Sequence, residues 1–403
     1  MIDNDFWARI DSLTATLRNE DRARKLRNQV YQTACGLASK KQPVRSQDIS
    51  QSEVLSRIEN VVESVVTSIS SGRAPSLRYS RTNSWECIDF SEDVGLEMKD
   101  NGKTTEVRFD VFASTNKFAL MLKVLAMCYR LVQTNTYSTK RDLYYSDVGS
   151  FRSQSTVDVI LDNLSCMLQV PRRCLHVLAT QKGSLFGDLR FTDGDGNFIE
   201  CGSATTGTPV PNHVDCISNI QSSAKFVLVV EKDATFQKLI DDRLIDKIPH
   251  CIIVTGKGFP DVNTRLMVRK LWDTLCIPVL ALVDADPHGL EILFVYKFGS
   301  RSLSCESHSM TVPSMLWLGV LPSDVKRLRL PEGALVPLSP ADLKKAAELM
   351  RRPFYKELPR WMSELQEMMQ MGQKAEIQSL TSVSDNFLTD VYIPSKIRCG
   401  GWI

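Results

Sequence analysis

Apolar and polar positions divide this chain into a helical first half and an alternating second half. Ser50-x-x-Glu53 offers a capping box, and Val54, Leu55, Ile58, Val61, Val62, Val65, Val66 and Ile69 then follow at helical spacing. The stripe predicts an amphipathic helix ended by the linker-like SSGRAPS (70–76). Such a face can pack on its own domain or dock on a partner protein. A second helix is predicted over roughly 115–133, with Phe118, Leu122, Leu125, Tyr129 and Val132 on one side. Val157, Ile160, Leu161, Leu164 and Leu168 mark a third. Pro171 can open a short further helix, PRRCLHVL, and two helices joined by a brief turn suggest a helix-turn-helix. Next, LRFTDGDGNFIEC (189–201) places turn chemistry between two strand-like runs and predicts a hairpin. Asp193, Asp195 and Asn197 superficially resemble a calcium loop, but its glycine and closing glutamate are not where that loop needs them. Helix-turn-helix plus hairpin is a winged-helix pattern.

The chain then changes character. KFVLVVE (225–231), CIIVTG (251–256) and PVLALVD (278–284) are short apolar runs rich in β-branched residues, as in strands buried on both faces. Helical segments lie between them, including 261–275. Strand, helix, strand, helix, strand predicts a parallel α/β sheet. The last eighty or so residues mix short helical patterns with prolines.

Composition narrows the picture. A chain of 403 residues accommodates two or three domains. Lys and Arg number 49 against 47 Asp and Glu, so a histone-like polycation and an acidic tail protein are both excluded. With 43% hydrophobic residues the chain can bury sizeable cores, which argues against disorder throughout. The eleven cysteines are scattered without any C-x-x-C pair, so they read as small buried hydrophobes of a reducing compartment. No signal-peptide order and no apolar run of about 20 residues is seen, so a soluble intracellular chain with no membrane role is expected.

Acids close the α/β strands. Glu231 ends the first, and Asp284 and Asp286 follow the third. Alternate residues of an extended segment point the same way, so Asp284 and Asp286 can share one ligand. Carboxyl ends of parallel strands are where sites form in open sheets. Three carboxylates gathered there would repel each other without a cation, and oxygen ligands suit Mg²⁺. The alternative is that each acid caps a helix N-terminus.

Glutamate after one strand and D-x-D after a later one resembles the toprim domain of topoisomerases, primases and related nucleases. KRDLYYSD (140–147) upstream of VEKDATF (230–236) and DADPHG (284–289) narrows the resemblance. The combination resembles the topoisomerase VI A-subunit family, and within it the animal form of the meiotic double-strand-break transesterases of eukaryotes. It runs from about residue 105 to the end. It implies an α/β multidomain fold: a helical, partner-binding N-terminal region (1–104), a winged-helix (CAP-like) cleavage domain (105–215), and a Rossmann-like toprim domain with a C-terminal extension (216–403). It also implies that Tyr145 attacks a DNA phosphodiester and becomes joined to the 5′ phosphate, with Tyr144 as the adjacent alternative. Ionising an ordinary phenol at neutral pH costs about 3–4 kcal/mol, so a helper is needed. Arg141, four residues earlier, shares the face of Tyr145 on a helix and can bind the phosphate or steady the phenolate. Pairing with Asp142 or Asp147 is its structural alternative.

By the same resemblance Glu231, Asp284 and Asp286 hold Mg²⁺, Asp286 through water or directly. Asp233 and Glu291 are candidate extra acids, and His288 is a proton shuttle or a structural turn residue. Two protomers are expected to share each active site, the tyrosine of one working with the metal of the other. Candidate contacts to double-stranded DNA are Arg172 and Arg173 at the start of the expected recognition helix, Lys182 before the wing, and Lys257 and Phe259 in GKGFPD (256–261). Phe259 can press on a base step or anchor its loop. No Walker A pattern is visible, so any ATP dependence falls to another subunit. The resemblance points to a topoisomerase VI B-like subunit on the N-terminal helices, and to action on meiotic chromosomes in the nucleus. Two competing readings are a topoisomerase that reseals what it cuts and a catalytically silent homologue. The intact Tyr145, Arg141, Glu231, Asp284 and Asp286 argue against the silent one.

Overall fold

The apolar stripes of the first half close around one core. The computed structural model describes residues 4–34, 49–80, 85–99, 103–178 and 181–403, the side chains of 23–34 and Lys356 excepted. Helix α1 spans Asn4–Ala34 and α2 spans Gln51–Ser70. The Ser50 side chain accepts the Glu53 N–H and starts α2. Helices α3 (Phe112–Gln133), α4 (Lys140–Tyr145) and α5 (Gln154–Leu168) follow. Val54, Ile58 and Val65 of α2 pack with Met121, Val124 and Leu125 of α3 and Val157, Leu161 and Leu164 of α5. The α2 stripe is therefore divided. Val54, Ile58 and Val65, with Leu55 and Val61 beside them, face this core, while Val62, Val66 and Ile69 stay 45, 57 and 61% exposed.

The segment PRRCLHVL forms no recognition helix. Arg172–Leu175 is one 3₁₀ turn, stopped by His176 at φ 57°. Gln169 at φ 53° ends α5 just before it, which leaves too few residues for another α-helix. The helical turns that lead into α5 are α4 and the four-residue Val148–Phe151.

The β-branched runs become the centre of a six-stranded sheet. We number its strands β1 (Ser184–Gly187), β2 (Thr208–Pro209), β3 (Phe226–Val230), β4 (Cys251–Thr255), β5 (Val279–Leu282) and β6 (Leu316–Gly319). Their order is β2-β1-β4-β3-β5-β6. β4, β3, β5 and β6 are parallel, and β1 joins β4 antiparallel. Every residue of β3, β4 and β5 is buried, as expected for strands covered on both faces. Helices α6 (Asp233–Asp241), α7 (Val262–Leu275) and α8 (Pro287–Phe298) connect these strands.

Two domain boundaries differ from the sequence reading. β1 and β2 belong to the sheet, so the α/β lobe begins before residue 216. The described residues of the 1–104 range also divide between the two cores, α2 joining the helical one and α1 the sheet. Phe6 and Ile10 of α1 are fully buried with Phe226, Leu228 and Val230 on one face of the sheet, and Asp11 pairs with Lys225 at 2.8 Å. The 189–201 hairpin does form, through strands 190–192 and 198–200. However, Leu189, Phe191 and Cys201 bury into the sheet's other face. The expected wing is thus a flank of the α/β lobe, because its apolar alternate positions find that core. Among the described residues no helix is long and apolar enough to cross a membrane.

Docking of α1 sets a stability expectation. Phe6→Ala should lower unfolding free energy by about 3–5 kcal/mol in urea titration. Val66→Ala, on the exposed side of α2, should change it by less than about 0.5 kcal/mol.

Candidate active site

Strand register brings the acids together. β3 and β5 are adjacent and parallel, with Val230 opposite Leu282, so their carboxyl ends coincide. Glu231 follows one strand and Asp284 the other. The Asp284 N–H donates to Glu231 Oε2 at 2.9 Å. Asp284 Oδ1 accepts the Ile377 N–H at 2.8 Å, and Asp284 Oδ2 lies 2.8 Å from Lys232 Nζ. Both carboxylates are buried. Gly289 lets α8 approach them, since a Cβ there would stand 2.5 Å from the Asp284 carbonyl oxygen and 3.0 Å from Glu231 Oε2. Asp286 caps α8 by accepting the Gly289 N–H at 2.6 Å. The helix-cap alternative therefore applies to one oxygen of Asp286.

Burial, followed by the nearby Asp284 charge, pushes the Glu231 carboxyl up to about 8, against the hydrogen bond from Asp284. Burial also raises Asp284, against the Lys232 and Ile377 bonds. These groups fit a hard divalent cation: they are oxygen donors whose charge is incompletely offset within the chain. Among the described residues no three Asp, Glu, His or Cys side chains form a metal-binding group. Mg²⁺ is such a hard divalent cation, and it keeps several waters while taking few protein oxygens.

Neighbouring candidates separate from this pair. Asp233 lies 3.3 Å from Lys257 Nζ. Glu291 binds Lys345 at 3.0 Å and also Arg352, which makes it an ion-pair residue of α8. His288 Nε2 lies 3.7 Å from Asp342 Oδ1. The sequence reading missed Lys232 as a partner of the acids, although it adjoins Glu231. It also missed Glu376, whose Oε2 is 3.0 Å from Lys232 Nζ. No local pattern marks a contact across so many intervening residues.

The tyrosines sit on the other core. A capping box between Thr139 and Asp142 opens the six-residue α4. Tyr144 packs partly against the helical core. Tyr145, the last helical residue, is 68% exposed. Arg141 is exposed one turn earlier. Thr139 engages Asp142, while Lys123 and Ser150 engage Asp147. Among the described residues no ion pair holds Arg141, so neither suggested acid takes it.

One loop gathers three of the five DNA-contact candidates. The Gly258 N–H donates to the Glu231 carbonyl oxygen at 2.7 Å, with Lys257 and Gly258 at φ 54° and 90°. Lys182 Nζ donates to the Phe259 carbonyl oxygen at 3.2 Å, and the Phe259 side chain is 48% exposed. The loop that carries Lys257 and Phe259, with Lys182 tied to it, is thus held at the carboxyl end of β3. Arg172 and Arg173 do not join them. Their side chains are 12 and 14% exposed and pair with Asp162 at 3.0 Å and Asp215 at 2.7 Å. Glu306 of the α/β lobe also accepts the Arg172 N–H at 3.1 Å. These arginines tie the two lobes together rather than facing outward.

Comparison with known proteins gives matches in both lobes. A family model for the toprim domain of the topoisomerase 6 A-subunit/Spo11 family matches residues 226–397, and one described as "Type IIB DNA topoisomerase" matches 116–177. The chain is 49% identical to human "Meiotic recombination protein SPO11", covering 88% of this chain and 89% of that protein. It is 48% identical to the mouse protein of the same name, over the same shares. It is 39% identical to the DNA topoisomerase 6 A-subunit of Arabidopsis thaliana, covering 87% of this chain and 81% of that protein. The chain therefore belongs to the topoisomerase 6 A-subunit/Spo11 family of DNA-cleaving enzymes.

Proposed function

We propose that this chain is a Mg²⁺-dependent transesterase that cuts both strands of DNA to initiate meiotic recombination, acting as a dimer. The observation carrying this reading is the division of chemistry between two cores. An exposed Tyr145 with Arg141 one turn before it stands on the helical lobe. The buried Glu231–Asp284 pair closes the sheet of the other. Two protomers can then complement each other, the tyrosine of one meeting the acids of its partner.

We read α3, α4 and α5 as the helical DNA-cleavage unit that presents Tyr145. Its phenolic oxygen forms a bond to a backbone phosphorus while the bond from phosphorus to the 3′ oxygen breaks. The proton leaving the phenol is balanced by one taken up at the 3′ oxygen. The product is a 5′-phosphotyrosyl link and a free 3′ hydroxyl. Arg141 offers a forked donor set to the phosphate. Glu231, Asp284 and Asp286 would hold Mg²⁺, which when bound supplies charge stabilisation at the phosphate and the leaving oxygen. Lys182 and Lys257 contact phosphate, giving affinity without strong sequence choice, and Phe259 presses on the duplex beside them. Val62, Val66 and Ile69 form the exposed face offered to a topoisomerase VI B-like partner. The meiotic names and higher identities of the mammalian relatives favour a nuclear role on meiotic chromosomes over resealing.

Capture of covalent protein–DNA adducts from meiotic cells tests the nucleophile. Tyr145→Phe should reduce adducts to background, while Tyr144→Phe retains them. Adducts that persist in Tyr145→Phe and vanish in Tyr144→Phe would reverse the assignment. DNA-binding titrations test the cation assignment separately. Lys257→Ala should weaken duplex binding several-fold at fixed salt and reduce the salt slope by about one contact. Arg172→Ala should instead lower thermal stability, with little direct effect on the phosphate contacts.

A further inference from the structure

The acid cluster contains its own cation. Lys232 Nζ lies 2.8 Å from Asp284 Oδ2 and 3.0 Å from Glu376 Oε2, and it donates to Gln378 Oε1 at 3.3 Å. Lys232 is thus bound to the same carboxylate proposed to face the metal. We propose that Lys232 is a resident counter-ion that competes with the divalent metal for Asp284 and releases Asp284 when metal binds. This proposal rests on the reading that Glu231, Asp284 and Asp286 hold that metal.

Three observations carry it. First, Lys232 pairs with both Asp284 and Glu376, and Asp284 in turn donates its N–H to Glu231 Oε2, so one ammonium faces a group of three linked carboxylates. Its single charge offsets only part of theirs. Second, Glu376 is 56% exposed whereas Asp284 is 6% exposed. The two acids form an inner and an outer berth, so Lys232 can let go of Asp284 while keeping Glu376. A flexible four-carbon stem permits that swing, which a planar guanidinium fork would restrict. Third, Asp284 Oδ1 stays fixed by the Ile377 N–H, and Glu231 Oε2 by the Asp284 N–H. Removing Lys232 from Oδ2 therefore does not release the acids from their backbone anchors.

The consequence is a site kept in order before metal arrives, at some expense in metal affinity. Where the binding-competent arrangement is a minor population, apparent affinity falls by that fraction. Removing Lys232 deletes the competitor and makes the cluster more negative, and both effects favour metal.

Thermal melting of the full chain in MgCl2 and MnCl2 titrations tests this, with Asp284→Asn as the control. Without metal, Lys232→Met and Lys232→Gln should melt below wild type. Their metal-dependent rise should reach half its size at a concentration lower by on the order of tenfold. Asp284→Asn should abolish the rise. If Lys232→Met does not fold, Lys232→Gln gives the answer. An unchanged or higher half-point in the folded lysine variants, with the rise abolished by Asp284→Asn, overturns the role of Lys232. A wild-type rise in Asp284→Asn instead overturns the underlying metal assignment, and the competition with it.

Discussion

Two buried carboxylates held side by side at the ends of parallel strands are the constraint on which the site depends. β3 and β5 run in register, so Glu231 and Asp284 emerge together, and the Asp284 N–H donates to Glu231 Oε2 at 2.9 Å. Like charges in a buried place are stable only with protons, partners or a cation. This explains the environment of the pair: Lys232 against Asp284, the Ile377 amide behind it, and Gly289 allowing α8 close by. The GKGFP loop docks on the Glu231 carbonyl oxygen, which holds Lys257 and Phe259, with Lys182 tied to their loop, at the carboxyl end of β3.

The tyrosine is organised on different terms. α4 is short, capped at its start, and anchored by Leu143 in the helical core. Tyr145 projects outward because Tyr144 takes the inward-facing position. The lobes meet through buried or nearly buried polar groups. Glu306 receives the Arg172 amide, and the Sγ atoms of Cys166 and Cys305 approach to 2.9 Å. Such a joint links the lobe that carries Tyr145 to the lobe that carries the acids.

Local pattern made much of this legible. The apolar runs marked β3, β4 and β5, and the acids after them marked the pair. Helical spacing marked α2, α3 and α5, and KRDLYYSD marked α4 with its tyrosine. What escaped the sequence reading depends on distant contacts. Nothing in MIDNDFWARI foretells that Phe6 and Ile10 bury under the sheet. The DGDGN turn was evident, but not which core would receive Phe191. Arg172 and Arg173 looked like phosphate ligands because Asp162, Asp215 and Glu306, their acidic partners, lie elsewhere in sequence. Many cations are engaged by acids inside the molecule, Arg172, Arg173 and Lys232 among them.

Division of the active site between protomers is tested most directly by mixing two inactive chains. Differently tagged Tyr145→Phe and Glu231→Gln chains are co-expressed in meiotic cells, and DNA-linked protein is captured through each tag. Each variant alone should give no adducts. In mixed dimers one site combines the intact Tyr145 of the Glu231→Gln chain with the intact acids of the Tyr145→Phe chain. Adducts should therefore return, solely on the Glu231→Gln chain and on one strand per break site. Mixed dimers recovered without any adduct would contradict the shared site and place tyrosine and acids in the same protomer.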